Sequence, residues 1–338
     1  MKFILLALFV SVSVHANESE ALSLINNEKS CFSGVTADYN SWRDFIREKN
    51  SKGPNAAQRE ERVMKWFDAK FPQTNYDRFK RNLKCSEFTY QVDGVNVKGY
   101  YAHPINAKKK ELPVLIYNRG GNGYFSAVNF ASQMKNIFPF ADQGFVVIGT
   151  QYSGVAVRDS KRTDEFGGKD IDDVIALLGL LPAIEVADET KVGMYGSSRG
   201  GMQSFLTLKK LANTNQINAL ATIAALTNLP KSIEERPEME KVYATRIPNY
   251  AQDKETQLKN RSVVFWVDKL PKDVPILLIH GAKDKKVDVK NAIDFAALLE
   301  ENQHPYELEI YEEDGHIINV NEHKMQAKVV NWFKSKLL

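Results

Sequence analysis

Residues 191–201, with the sequence KVGMYGSSRGG, carry the strongest local signal in the chain. The apolar segment from Val192 to Tyr195 is typical of a buried strand, and a helical pattern follows the glycines as far as Leu211. Between the two stands the pattern G-x-S-x-G, in which a sharp strand-to-helix turn lifts a serine hydroxyl clear of the sheet. This stretch therefore predicts that Ser198 is a nucleophile.

Backbone donors near Ser198 are expected to stabilise the negative charge that forms when a hydroxyl attacks a carbonyl. The N–H of Arg199, at the start of the following helix, is the first candidate. A second donor should come from the glycine-rich loop at 117–123, whose sequence YNRGGNG lets backbone approach a substrate closely. A phosphate-binding loop is disfavoured here, because the dinucleotide and Walker spacings are absent.

Short apolar segments alternate with amphipathic segments from about residue 85 to the end of the chain. This alternation predicts an α/β fold with a mostly parallel, twisted sheet and helices on both faces. An Asp93-Gly94 turn also predicts a hairpin at the start of this region. The candidate strands after that hairpin are Val114–Tyr117, Phe145–Thr150, Val192–Tyr195, Ala219–Ile223, Pro275–His280 and Tyr306–Tyr311.

A serine hydroxyl needs a base, and the base needs an acid that fixes its tautomer. Asp284 follows one candidate strand and His316 follows the next, so both should project from the edge of the sheet that carries Ser198. Asp288 is the alternative acid, and Asp284 is preferred because it lies closer to the strand end. His280 is interpreted as a structural histidine.

A metal site is not expected from the residue pattern. The other histidines are poorly placed to act as a base, and His15 and His103 show no ligand spacing to nearby acids. The chain has 338 residues, with 45 Lys and Arg against 42 Asp and Glu, for a net charge of +3. This balance makes a nucleic-acid partner unexpected.

Residues 1–16 have the pattern of a signal peptide. Lys2 precedes an uncharged, mostly apolar stretch that ends in the small-residue spacing Val14-His15-Ala16, which predicts a mature chain beginning at Asn17. A transmembrane anchor is the alternative, but the stretch is shorter than the roughly 18 to 20 residues that a bilayer requires. We therefore expect export to the periplasm or the extracellular space, with no stable membrane insertion.

The remaining chain divides into a helical extension at 17–84 and a catalytic domain at 85–338. A polar segment at 226–271, interrupted by prolines, is a candidate cap within the domain. Export to an oxidising compartment would allow a disulfide between Cys31 and Cys85, and two buried free thiols are the alternative. One apolar stripe indicates that the extension packs on a larger body: Val63, Trp66, Phe67 and Phe71.

Taken together, the motifs resemble the catalytic domain of the prolyl oligopeptidase family of serine hydrolases, which has an α/β-hydrolase fold. The resemblance runs from about Cys85 to the C-terminus. It implies that Ser198, Asp284 and His316 are nucleophile, acid and base, and that no cofactor takes part. It is carried by Gly196–Gly201, the run His280-Gly281-x-x-Asp284-x-x-Val287 and Asp314-Gly-His316, with additions at Tyr152–Gly154 and Gly167–Asp170.

Three features depart from that family. The β-propeller that many of its peptidases carry has no counterpart in the short extension. Arg119 stands where a tyrosine or histidine often helps to bind the oxyanion, so the second donor is assigned to the backbone at Gly120. Asp288 follows Val287, at the position where the family often has a proline after the valine that comes after the acid. These departures bear on peptide specificity rather than on hydrolysis.

The sequence thus predicts an exported serine hydrolase that cleaves peptide or ester bonds in small substrates through an acyl-enzyme on Ser198. A carboxylesterase acting on small acyl or sugar esters would use the same residues, because specificity depends on the walls of the pocket. The remaining alternative is that the chain is not an enzyme but a binding protein with the same fold. The complete set of serine, aspartate and histidine disfavours it.

Overall fold

Nine strands of the described residues form a single sheet in the order β1-β2-β3-β5-β4-β6-β7-β8-β9. The computed structural model describes residues 24–155, 157 and 162–338, so the predicted signal peptide lies outside the described residues. The strands are β1 Asn26–Ser30, β2 Leu83–Val92, β3 Val95–Pro104, β4 Leu112–Asn118, β5 Val146–Thr150, β6 Ala187–Ser197, β7 Ala219–Ile223, β8 Ile276–Gly281 and β9 Tyr306–Tyr311.

The sheet is parallel from β5 through β4 and β6 to β9, and antiparallel where β1, β2 and β3 extend it. The β2–β3 hairpin turns at Asp93 and Gly94, whose φ angles of 51° and 73° are those of a type I′ turn. Such a turn matches the right-handed twist of the two strands. The predicted α/β fold with a mostly parallel sheet is confirmed.

Helices cover both faces of the sheet, and each face has its own apolar core. The helices α1 to α5 and α12 lie over one face, whereas α6 to α11 lie over the other. The helices are α1 Tyr39–Asn50, α2 Ala56–Lys70, α3 Gln73–Asn82, α4 Phe130–Asn136, α5 Phe138–Ala141, α6 Asp170–Ala176, α7 Arg199–Lys210, α8 Leu229–Glu235, α9 Glu238–Arg246, α10 Lys254–Asn260, α11 Lys290–Glu301 and α12 Glu322–Leu337.

The described part of the extension is tied to the domain in two ways that go beyond helix packing. Strand β1 pairs with β2 and so enlarges the sheet, which the sequence pattern did not predict. A disulfide joins Cys31 to Cys85. The predicted stripe on α2 is partly wrong, because Trp66 is 57% exposed while Met64 and Phe67 are buried.

The candidate cap at 226–271 consists of helices α8, α9 and α10, followed by two 3-10 turns. Elsewhere, α6 ends at Ala176 and the chain continues as a 3-10 helix over Leu177–Ala183. Pro182 lies inside this 3-10 helix, where its missing N–H excludes an α-helical hydrogen bond to the carbonyl of Leu178. Among the described helices, none is both long and apolar enough to cross a membrane.

Candidate active site

Ser198 lies at the turn between β6 and α7 with φ 58° and ψ −124°, a backbone conformation that non-glycine residues rarely adopt. The turn requires glycine two positions before and two positions after Ser198. A Cβ on Gly196 would lie 2.2 Å from the carbonyl oxygen of Gly200. A Cβ on Gly200 would lie 1.9 Å from the carbonyl oxygen of Asn118. The G-x-S-x-G pattern therefore reflects close backbone contacts that hold Ser198 at the carboxyl end of the sheet.

Asp284 and His316 meet at the same edge of the sheet, each on the loop after its strand. The Nδ1 of His316 donates to Oδ2 of Asp284 at 2.8 Å. The backbone N–H groups of Lys286 and Val287 donate to Oδ1 of Asp284 at 2.8 and 3.0 Å. With Nδ1 engaged, Nε2 is the ring nitrogen of His316 that remains for proton transfer.

The carboxyl of Asp284 is held in its ionised form. Burial alone would raise its pKa, but hydrogen bonds from His280, His316 and the backbone outweigh burial and lower the pKa well below the ordinary value of 3.8. An ionised Asp284 can stabilise the imidazolium that forms when His316 takes a proton.

His280 is completely buried beside Asp284 and is a second imidazole on the same carboxylate. Its Nε2 lies 3.2 Å from Oδ2 of Asp284 and 2.9 Å from the carbonyl oxygen of Val287. Both partners are acceptors, so Nε2 carries the proton. The structural histidine expected at the strand end is thus also a positioning group for Asp284.

The loop that carries His316, at 312–321, is shaped by Asp314. Its carboxylate accepts hydrogen bonds from the backbone N–H groups of Asn319, Val320 and Asn321 at 2.7 to 3.1 Å. These bonds fold the loop back on itself between β9 and α12. Asp314 belongs to the motif Asp314-Gly-His316, but the sequence does not indicate that its carboxylate fixes the shape of the loop.

Two backbone N–H groups next to Ser198 can serve as oxyanion donors. A Cβ built on Gly120 would lie 3.3 Å from Cβ of Ser198, which places Gly120 directly against the nucleophile. Within the part of the chain that the structure describes, neither the N–H of Gly120 nor that of Arg199 has a hydrogen-bond partner. Both groups are therefore available to a developing negative charge.

The side chain of Arg119 is buried, and its hydrogen bonds among the described residues do not include one to Ser198. Its guanidinium donates to the carbonyl oxygens of Gly120 at 3.0 Å, Gly123 at 2.9 Å and Gln151 at 2.8 Å. It also lies over the ring of Tyr152. Arg119 thus braces the loop that carries Gly120 instead of facing the oxyanion itself.

The side chain of Arg199 is buried in a charged network that fixes the start of α7. It forms a bidentate pair with Asp164 at 2.5 and 2.7 Å and contacts Asp170 at 2.6 Å. Burial by itself would lower the pKa of Arg199, but the two carboxylates raise it. The sequence analysis did not predict this network, because Asp164 and Asp170 lie about 30 residues from Arg199 in the chain.

Ser198 and His316 line one cavity of about 600 Å³, together with Gly120 and several cap residues. We call it the active-site cavity. The described residues show no hydrogen bond between the hydroxyl of Ser198 and His316; such bonds often tighten only when substrate binds. Cap residues form one wall: Leu226, Ser232, Arg236, Glu238, Met239, Val242 and Tyr243.

The structure thus brings Ser198, His316, Asp284, Gly120 and the backbone of Arg199 to one place. The alternative acid, Asp288, accepts a hydrogen bond from the N–H of Lys290 instead. Over the described residues, no group of three or more His, Cys, Asp or Glu side chains is arranged to hold a metal ion.

Comparison with known proteins gives the same fold and family. One relative is a protein of Bacillus subtilis strain 168 named Uncharacterized peptidase YtmA, which is 25% identical over 257 residues. That match covers 76% of this chain and 95% of YtmA. The chain also matches probable dipeptidyl-aminopeptidases B, but it spans only about a quarter of their length.

Solved structures share the fold at low sequence identity. A puromycin-hydrolyzing peptidase of Mycobacterium tuberculosis superposes with a TM-score of 0.63 at 20% identity, over 74% of this chain and 39% of that one. An acetyl xylan esterase from a Paenibacillus species superposes with a TM-score of 0.55 at 16% identity, over 75% of this chain and 84% of the esterase. These likenesses support the α/β-hydrolase fold.

The family itself follows from the sequence match. Residues 131–338, more than half of the chain, match the model of the Prolyl oligopeptidase family, Peptidase_S9. That span includes Ser198, Asp284 and His316 and begins after the loop that carries Gly120. The chain is therefore a serine hydrolase that belongs to the prolyl oligopeptidase family.

Proposed function

We propose that this chain is an exported serine peptidase that cleaves peptide bonds in small substrates through an acyl-enzyme on Ser198. The observation that carries the proposal is the hydrogen bond from His316 to a buried, ionised Asp284, with Ser198 and His316 on the wall of the same cavity. A serine, an imidazole and a carboxylate in this relation can activate the serine hydroxyl as a nucleophile.

The roles follow from the geometry. Nε2 of His316 takes the proton of Ser198 as Oγ attacks the substrate carbonyl carbon. The resulting oxyanion accepts hydrogen bonds from the N–H groups of Gly120 and Arg199. The imidazolium then protonates the leaving amine, and the acyl group stays on Ser198. Water, activated by the same imidazole, releases the acid and restores the hydroxyl.

Peptide cleavage is favoured over the esterase alternative by the family match and by the relatives named as peptidases. A carboxylesterase remains the second candidate, because an acetyl xylan esterase shares the fold over most of its own length. Rates on matched substrates that differ only in an amide or an ester bond would separate the two. Ester turnover with no cleavage of any peptide would favour the esterase.

A fluorophosphonate probe tests the nucleophile without knowledge of the substrate, because it reacts with an activated serine. We expect the purified protein to be labelled on Ser198 and Ser198→Ala to lose labelling and turnover while remaining folded. Ser197→Ala is the matched control, since Ser197 lines the same cavity one residue away and should leave labelling intact. A folded wild-type protein that is never labelled would favour the binding-protein alternative.

Export forms part of the proposal and rests on the sequence of residues 1–16. The Cys31–Cys85 disulfide supports it, because such bonds persist mainly in oxidising compartments. Sequencing the N-terminus of the protein recovered from the periplasm or the medium should give Asn17. Recovery from the cytoplasm with Met1 in place would contradict export.

A further inference from the structure

Three charged side chains meet where the active-site cavity adjoins a neighbouring cleft. They are Lys70 at the end of α2, Lys135 on α4 and Glu322 at the start of α12, and we call them the charged cluster. Nζ of Lys70 lies 2.5 Å from one carboxylate oxygen of Glu322, and Nζ of Lys135 lies 3.9 Å from the other. Lys135 and Glu322 line both the active-site cavity and the cleft, which has a volume of about 610 Å³.

The charged cluster has two ammonium groups and one carboxylate. Glu322 is engaged by Lys70, and 3.9 Å is too long for a hydrogen bond from Lys135. Among the described residues, Nζ of Lys135 has no hydrogen-bond acceptor, although its side chain is only 23% exposed. Burial, together with the nearby charge of Lys70, lowers the pKa of Lys135. An anion bound beside Lys135 would balance the excess charge.

The position of the cluster indicates which half of a substrate it would contact. The leaving group must face His316, because this residue gives it a proton. Ile318, Glu322 and Met325 lie on the loop and helix that follow His316, and they line the active-site cavity. The cap residues Leu226 and Tyr243 belong to the apolar core on the opposite face of the sheet from the core that contains Ile318 and Met325. The charged cluster is therefore on the leaving-group side.

The same side of the cavity has an aromatic wall formed by Tyr117, Phe140 and Tyr195. The ring of Tyr195 lies 4.9 Å from that of Tyr117 and 4.9 Å from that of Phe140, measured between centroids. Together with Ile318 and Met325, these rings offer an apolar surface next to the charged cluster. A ligand that matches this side would combine an apolar side chain with a negative charge.

We propose that the leaving-group side binds the C-terminal part of a short peptide, with the free α-carboxylate on Lys135 and an apolar side chain against the aromatic wall. This inference rests on the proposed peptidase function and names its substrate class. In the cleavage step, the acyl part stays on Ser198 and the amine takes the proton of His316. The C-terminal amino acid or short peptide then leaves with its carboxylate unchanged.

Peptide binding to Ser198→Ala tests the inference without turnover. The probes are N-acetylated tetrapeptides that end in leucine, with every amino acid in turn before the leucine, each prepared as the free acid and as the amide. Dissociation constants would be measured by calorimetry. We expect the best-bound free acids to bind about tenfold more tightly than their amides, which corresponds to one charge-assisted hydrogen bond.

The charge of Lys135 should account for that preference. Ser198→Ala combined with Lys135→Met is expected to bind free acids and amides equally, while affinity for the amides stays unchanged. Lys324→Met on the same background is the matched control, because it removes the same charge from an exposed position on α12 that lines neither cavity. A purely structural role for Lys135 would weaken both series alike.

The outcomes separate this inference from the proposed function. Equal affinity for free acids and amides in Ser198→Ala, or binding of neither series, would overturn the inference. The inference would also be overturned if Ser198→Ala combined with Lys135→Met still bound free acids more tightly than amides. None of these results concerns the nucleophile, which the fluorophosphonate label and the turnover of Ser198→Ala test independently. If Ser198→Ala still hydrolysed peptides, the proposed function would fail.

Discussion

At the scale of the residue, the site depends on one carboxylate that is shared by several donors. Asp284 accepts from His316, His280 and two backbone N–H groups, so its position and its ionisation are both fixed. Because these donors fix the carboxylate of Asp284, it can hold the ring of His316 in one orientation. It also makes the stability of the folded chain depend on pH.

Asp284→Asn should lower the free energy of unfolding by about 2 kcal/mol at neutral pH, the usual contribution of hydrogen bonds to a charged group. Because the pKa of Asp284 is lower in the folded chain, its carboxylate stabilises the fold above the ordinary value of 3.8. That stabilisation is lost as the pH falls through the lowered pKa. Urea unfolding should therefore show a gap between wild type and variant that shrinks below about pH 4.

Asp288→Asn is the control for this measurement, because Asp288 is the acid that sequence analysis left as the alternative. Its carboxylate accepts a hydrogen bond from the backbone at the start of α11 and, in the described part of the chain, has none to Asp284 or His316. Asp288→Asn should therefore keep wild-type turnover, and its stability relative to wild type should not show the pH dependence expected for Asp284→Asn. Turnover lost in Asp288→Asn and kept in Asp284→Asn would reverse the assignment.

Replacing Arg119 should slow catalysis, although we do not expect its side chain to contact the substrate. Arg119→Met removes the donors that brace Gly120 and Gly123, so we expect kcat to fall by about 10²-fold with a smaller change in KM. Arg119→Lys should recover little, because a lysine cannot reproduce the planar fork. Steady-state kinetics on folded variants, checked by circular dichroism, would measure this. An unchanged kcat would show that the loop keeps its position without Arg119.

At the scale of the element, each strand end supplies one part of the site. The loops after β4, β6, β8 and β9 carry Gly120, Ser198, Asp284 and His316, so strand register sets their spacing. The two loops after β8 and β9 also touch each other. A Cβ on Gly281 would lie 2.4 Å from the carbonyl oxygen of Gly315.

Gly281→Ala should therefore push the His316 loop away from Asp284. We expect the free energy of unfolding to fall by about 1 to 3 kcal/mol, as at other overpacked sites. The activation free energy for kcat should rise by more than this. Gly315→Ala is the matched control, because its Cβ would meet nothing closer than 3.4 Å. Thermal unfolding and kcat would be measured for both. Equal behaviour of the two variants would contradict the argument.

Sequence reasoning predicted the elements near the site because their signals are local. The G-x-S-x-G turn, the Asp93-Gly94 hairpin and the apolar strands each depend on neighbouring residues. Contacts between distant segments were not predicted, because no pattern of neighbouring residues indicates them. Nothing near Asp164 or Asp170 in the chain shows that they pair with Arg199, and nothing in the polar sequence of β1 indicates that it extends the sheet.

At the scale of the whole molecule, the described extension behaves as part of one face of the domain. Its helices share an apolar core with α4, α5 and α12, and Lys70 reaches Glu322 beside the active-site cavity. The extension thus forms part of the surroundings of the site. The disulfide, whose cysteines are 54 residues apart, keeps the extension linked to the start of the domain even when the chain unfolds.

The double variant Cys31→Ser and Cys85→Ser should lower the free energy of unfolding by about 4 kcal/mol, because the link restricts the unfolded chain over a long loop. Denaturant unfolding of wild type with reductant should approach that of the variant, whereas reductant should not affect the variant itself. Neither cysteine lines the active-site cavity, so the folded variant should keep wild-type turnover. If oxidised wild type and variant unfolded at the same denaturant concentration, the covalent link would be irrelevant, and core packing alone would hold the extension on the sheet.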